Sequence, residues 1–319
     1  MIRFIKYILK LFSFVLVIPI TNYITDFHSS EKFNKRFVED LIINDSLTIN
    51  SNVSEFEIVK KRIELINYKK EKNKTFVLGS SRSMLFGKPI SRDVENLTVS
   101  GSSLEEIKDV YEILKKNKIN IDTLYLEISP WILYPSEPHH KNWNNSTRDF
   151  LRNLKKMFSW RYFIENLNPF KYSLVNNINS FIKYSDGTIK YPIEKTHNID
   201  EIKNYAKGEV YGLKGFNNLN KVDNREFNNF IGEIKRDEIY IFFIKHPYPP
   251  LINQKILNKY PLIKETDKLI NKTASLFNVN IIGSFYPEKL NLIDSDFYDG
   301  MHLTPTGLKK LINHKIKNY

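Results

Sequence analysis

The sequence predicts an α/β protein: a parallel sheet sandwiched between helices in three layers, with a large insertion after the third strand and an N-terminal transmembrane helix. Three observations carry this. From Thr75 onward, short apolar runs ending in Gly, Ser or Pro alternate with longer amphipathic segments. A stretch of different texture, residues 135–236, interrupts that alternation between the third and fourth runs. Residues 8–24 are strongly apolar behind Arg3, Lys6 and Lys10.

The N-terminal segment has no charged side chain from Leu11 to Thr25, and it extends back to Ile8 when Lys10 carries its charge out to the membrane surface. A helix of that length rises about 25 Å. That is somewhat short of the roughly 30 Å hydrocarbon core, a mismatch that local thinning absorbs. No small-residue cleavage site of the Ala-x-Ala kind follows, so residues 1–27 are expected to remain as a signal anchor. The basic flank belongs inside, which puts everything after about residue 27 on the extracytoplasmic side of a cell membrane.

Residues 28–74 read as a polar stalk and a lead-in helix, Glu55–Lys69, with apolar Phe56, Ile58, Val59, Ile63 and Leu65. Thr75–Leu78 is a strand ending at Gly79-Ser80-Ser81, and Asn96–Val99 is a second ending at Ser100-Gly101-Ser102-Ser103. Ser103 caps a helix over Leu104–Lys116, and Glu106 completes a capping box. Asp122–Ser129 alternates as a third strand, stopped by Pro130. Beyond the insertion come a buried strand at Glu238–Lys245, a helix at Lys264–Phe277, a strand at Val279–Ile282 and a closing helix from Pro305 to Ile316.

The insertion opens on an amphipathic, aromatic, helical half, Arg148–Tyr184, followed by a turn at Ser185-Asp186-Gly187-Thr188 that reads as a hairpin. Gly208, Gly212 and Gly215 follow, then a helix near Arg225–Lys235. Leaving from the strand-end rim, the insertion is placed to form a lid or to shape a substrate groove, and it counts within one domain spanning 75–319.

Composition narrows the chemistry. In 319 residues, 41% are hydrophobic and 26% charged, which is globular rather than disordered. The net charge of +12 comes from scattered lysines without a dense basic block or a nucleic-acid motif, so no nucleic-acid partner is expected. There is no cysteine, which excludes disulfides, thiolate catalysis and Cys-ligated zinc. His139-His140 are adjacent and point apart, with no acidic partner at ligand spacing, so no metal is expected. His246-Pro247-Tyr248-Pro249-Pro250 ends the fourth strand, where His246 lines the cleft or belongs to a rigid proline loop. Trp131, Trp143 and Trp160 read as core aromatics before sugar platforms.

Two short motifs remain. A hydroxyl nucleophile needs a base, a group that orients the base, and donors for the developing oxyanion. Gly79-Ser80-Ser81 puts a hydroxyl, from Ser81 or Ser80, on a tight turn after a strand, with backbone N–H groups beside it. Asp299-x-x-His302 allows a carboxylate to orient an imidazole from the same loop. Thr304 as cap and Pro305 at the first helical position tie that loop to the last helix.

These motifs resemble those of the SGNH (GDSL-like) hydrolase superfamily, whose fold is flavodoxin-like, in the membrane-anchored branch of DltD-like and alginate O-acetyltransferase-like proteins. The resemblance covers residues from about 74 to 319, apart from the insertion. It implies Ser81 as nucleophile, His302 as base, Asp299 as its orienting acid, and the N–H groups of Ser81 and Gly101 as oxyanion donors. The family's third block, Gly-x-Asn-Asp, would fall at Glu127-Ile128-Ser129-Pro130, which has no asparagine. Ser129, or Asn142, Asn144 or Asn145 folding back, would have to supply that donor, whose loss costs roughly 3 kcal/mol.

The resulting expectation is a membrane-anchored extracytoplasmic serine esterase or O-acyltransferase, working without a cofactor through an acyl-Ser81 intermediate. Its expected partners are a cell-envelope polysaccharide or related acylated polymer and the membrane itself, with room for a membrane protein as acyl donor. A catalytically weak glycan-binding or envelope-assembly factor that keeps the fold is the alternative. A lipase or thioesterase with an apolar groove is a third reading.

Overall fold

The computed structural model describes residues 16–24, 46–49, 55–69, 75–87, 94–133, 157–160, 163, 181–184, 186–190, 199–207 and 224–316. The chain forms two compact units, one of residues 1–50 with 142–180, the other of residues 51–141 with 181–319.

In the first unit, residues 16–24 are helical and Ser46–Ile49 is a strand, β1. Asn22 Nδ2 donates to the Met157 carbonyl at 2.8 Å, while Val17, Ile20, Tyr23 and Ile24 are exposed. Of the predicted anchor only this second half is described. Among the described residues no helix is long and apolar enough to cross a membrane.

The second unit holds the main sheet. Its strands are β2 (Thr75–Leu78), β3 (Val94–Asn96), β4 (Thr123–Ile128), β7 (Tyr240–Lys245), β8 (Asn280–Gly283) and β9 (Lys315–Ile316), in the order β3-β2-β4-β7-β8-β9. The first five are parallel and β9 is an antiparallel edge on β8. The α/β expectation therefore holds, with an antiparallel closing strand, Lys315–Ile316, where the sequence predicts the end of the last helix.

Helices α1 (Glu55–Lys69), α2 (Leu104–Lys116), α3 (Ile199–Lys207), α4 (Arg225–Arg236), α5 (Pro250–Lys259), α6 (Leu262–Leu276) and α7 (Pro305–Asn313) complete the unit. The lead-in helix α1 lies within this unit and buries Phe56, Ile58, Val59, Ile63 and Ile66. The predicted capping box of α2 is present: Ser103 N–H donates to Glu106 at 2.7 Å and Glu106 N–H to Ser103 Oγ at 3.3 Å. Phe76, Val77, Leu78, Leu124, Leu126, Ile128, Phe243 and Ile244 are fully buried, as strands covered on both faces require. Across the β4–β7 ladder, Tyr125 and Phe242 are register partners whose rings stack at 4.9 Å.

Two local expectations are corrected. Strand β3 sits earlier than the predicted Asn96–Val99, although the Leu97 and Val99 N–H groups still donate to the Val77 and Gly79 carbonyls of the β2 side, each at 2.9 Å. Phe181–Tyr184, the end of the stretch read as helical, is strand β5, paired antiparallel with β6 (Ile189–Lys190) around the predicted turn. That hairpin packs on the main body: Asn96 N–H donates to the Asp186 carbonyl at 2.6 Å and Ile189 N–H to the Met84 carbonyl at 3.0 Å. Of the insertion, residues 142–180 fall in the first unit and residues 135–141 and 181–236 in the second.

Candidate active site

The sheet changes winding direction at β2, with β3 on one side and β4 on the other, and open parallel sheets hold their sites at the C-terminal strand ends beside such a switch. After β2 the chain enters a single 3-10 turn, Ser81–Ser83. Gly79 is required just before it, because a Cβ there would lie 2.3 Å from the Glu127 Cβ. Gly101, after β3, takes φ +66°, a left-handed conformation that favours glycine.

The base arrives from the far side of the sheet. The loop after β8 forms the Phe297–Leu303 bridge and passes into α7, where Thr304 Oγ1 accepts from Gly307 N–H at 3.2 Å. Thr304 also donates to the Asp296 carbonyl at 3.1 Å, so the loop is fixed at both ends. Asp299 accepts from the backbone N–H groups of Met301 and His302, both at 2.8 Å. Its Oδ2 lies 2.8 Å from His302 Nδ1, and His302 Nε2 lies 3.0 Å from Ser81 Oγ. The sequence-predicted Ser81, His302 and Asp299 therefore come together as a linear hydrogen-bonded chain. Asp299 is buried at 5% side-chain exposure while His302 keeps 18%. With Nδ1–H donated to Asp299, Nε2 presents its lone pair to the Ser81 hydroxyl.

The choice between Ser80 and Ser81 is resolved by their partners. Ser80 is buried, its hydroxyl donating to Glu127 Oε1 at 2.7 Å and its N–H to Glu127 Oε2 at 2.6 Å. Only Ser81 faces the imidazole. Among the described residues, the N–H groups of Ser81 and Gly101 have no protein acceptor, which leaves both available to an oxyanion. Ser129, proposed as a third donor, gives its hydroxyl to Glu127 Oε1 at 2.5 Å instead. Asn142, Asn144 and Asn145 lie outside the described residues, as do His139, His140 and Trp143.

Sequence reading missed the shell beneath the turn. Glu127 collects three donors from Ser80 and Ser129. Ser83 Oγ lies 2.8 Å from His246 Nε2, and Asn96 Nδ2 donates to the Ser83 and Phe86 carbonyls, each at 2.8 Å. His246 is fully buried rather than lining the cleft. Burial, with Arg82 and His302 nearby, drives its pKa well below the usual imidazole value, so it is a neutral strut. Trp131 is buried against Arg82, its ring centre 5.8 Å from the guanidinium carbon. The signal that could have revealed Glu127 is its place one residue before the end of an otherwise apolar strand.

Among the described residues no cluster of His, Asp and Glu could hold a metal ion. No protein-family model and no curated protein sequence matches the chain.

Proposed function

We propose that this chain is a membrane-anchored extracytoplasmic serine esterase or O-acyltransferase of the SGNH kind, acting on acyl esters of a cell-envelope polysaccharide or related polymer. The observation that carries the chemical half is the chain Ser81–His302–Asp299, with links of 3.0 and 2.8 Å, beside two undonated backbone N–H groups. The substrate and its location rest on the basic, apolar N-terminal segment alone.

In this reading His302 Nε2 takes the Ser81 proton as Oγ attacks the ester carbonyl. The N–H groups of Ser81 and Gly101 receive the oxyanion, and Asp299 stabilises the imidazolium that forms. His302 then returns the proton to the departing alkoxide, leaving acyl-Ser81 and a free alcohol. Water attacking that ester, deprotonated by His302, completes hydrolysis; a sugar hydroxyl in its place completes transfer.

The engagement of Ser129 with Glu127 favours a second reading, a glycan-binding or envelope-assembly factor that keeps the fold with a weakened oxyanion site. Full-length protein in membranes, treated with a fluorophosphonate and mapped by peptide mass spectrometry, separates the two. The esterase reading requires an adduct on Ser81 that His302→Ala abolishes. Folded protein without an adduct, still retaining polysaccharide, establishes the second.

A further inference from the structure

Two arginines among the described residues of the second unit are buried, and they are treated differently. Arg62, 2% exposed, donates Nη2 to Glu95 and Nη1 to the Asn96 carbonyl, as a structural ion pair does. Arg82, 3% exposed and next to the nucleophile, gives Nη2 to the Pro247 carbonyl but leaves Nε and Nη1 with no acceptor. Its guanidinium carbon lies 4.7 Å from the Tyr248 ring centre and 5.8 Å from that of Trp131, so aromatic faces rather than water surround the charge.

Leaving buried N–H groups unmade costs stability, so packing alone does not explain Arg82. Two buried carboxylates are bonded to its immediate neighbourhood: Glu127 accepts from Ser80, two residues before it, and Asp299 meets His302, whose Nε2 lies 3.0 Å from the adjoining Ser81. Burial lowers the Arg82 pKa from its ordinary value, with Tyr248, Glu127 and Asp299 acting the other way; arginine stays charged under such conditions. One cation thus faces two carboxylates. A further anion would deepen that imbalance, which argues against an anion-binding role for Arg82.

We propose that Arg82 is a positioning residue whose charge, shared by the Glu127 and Asp299 carboxylates, holds the nucleophile turn and the base loop at reacting distance. Tethered to Pro247 just past β7, the guanidinium reaches from the turn after β2 toward the side of the sheet where β8 leads into the base loop. This rests on the Ser81 esterase reading.

The test compares Arg82→Lys, which keeps the charge, Arg82→Gln, which keeps N–H donors without it, and Arg82→Met, which keeps neither. The rate constant for Ser81 modification by a fluorophosphonate is measured in full-length protein, with a thermal melt alongside. Arg82→Lys is expected within about fivefold of the unaltered chain, and the other two slower by about thirtyfold or more while still folded, the scale on which misplaced reacting groups lose rate. Arg82→Gln within fivefold overturns the proposal, as does equal loss in Arg82→Lys and Arg82→Gln, or loss that tracks the unfolded fraction. An unaltered chain that never labels overturns both this and the esterase reading; normal labelling with an indifferent Arg82→Gln overturns this alone.

Discussion

Glu127 accepts both the backbone N–H and the hydroxyl of Ser80, at 2.6 and 2.7 Å, and so grips the residue before Ser81 from both sides. A carboxylate is suited to this because it only accepts, and three donors converge on it once Ser129 is counted. Glu127→Gln turns an amide NH2 toward one of those hydroxyls. Charge-assisted bonds of this type are worth about 1.5–3 kcal/mol. Ser81 labelling in Glu127→Gln is expected to slow by about tenfold to a hundredfold with a lowered melting temperature, read by probe kinetics and calorimetry.

Ser81, His302 and Asp299 form one hydrogen-bonded chain, so their losses should not add. Ser81→Ala is expected to abolish ester turnover and labelling. Asp299→Asn, which also faces the Met301 and His302 N–H groups, should cost about a thousandfold or more. The double variant Asp299→Asn/His302→Ala should be no slower than His302→Ala, as single-turnover ester hydrolysis would reveal.

Stability should depend on pH through His246. Burial, then Arg82 and His302, holds its folded pKa well below the usual value, whereas the unfolded chain protonates it near an ordinary pH of about 6.5. Above that pH both states are neutral and His246 contributes no slope. Below it the unfolded state binds the extra proton, so stability falls as pH falls. Melting temperatures from pH 8 to 5 should decline below about 6.5, and His246→Gln, which can still reach Ser83, should flatten that decline.

The Arg62–Glu95 pair underlies the hairpin turn beside Asn96, with both side chains buried. Removing one partner of a buried pair strands the other charge and costs about 3–5 kcal/mol. Arg62→Ala is expected to unfold at a denaturant midpoint lower by that much free energy. Replacing both, Arg62→Met with Glu95→Leu, should recover most of it in the same titration.

Much of the framework is legible because punctuation coincides with structure. Thr75–Leu78 and Leu104–Lys116 are bounded by Gly79, Ser103 and Glu106, whose local chemistry fixes the ends, and the observed elements share those limits. Helix α5 was hidden: Pro247, Pro249 and Pro250 read as a rigid loop, yet Pro250 occupies a first-turn position where its missing N–H is harmless. The Ser81, Asp299 and His302 positions were readable because each lies beside a turn or cap signal. Glu127 and Arg82 were harder to read, since a charged side chain in a strand or turn reads as solvent-facing until its buried partners are known, and the place of His246 was open between the cleft and a proline loop until its burial was seen.

The 221-residue separation between Ser81 and His302 has a temporal meaning. A chain made from its N-terminus at about 5–20 residues per second carries Ser81 for roughly 11–44 s before His302 exists. Throughout that interval the Ser81 hydroxyl lacks the imidazole that meets it in the folded chain. In the proposed esterase reading, synthesis of the final strand and helix is therefore the event that arms the serine, a latency set by chain order.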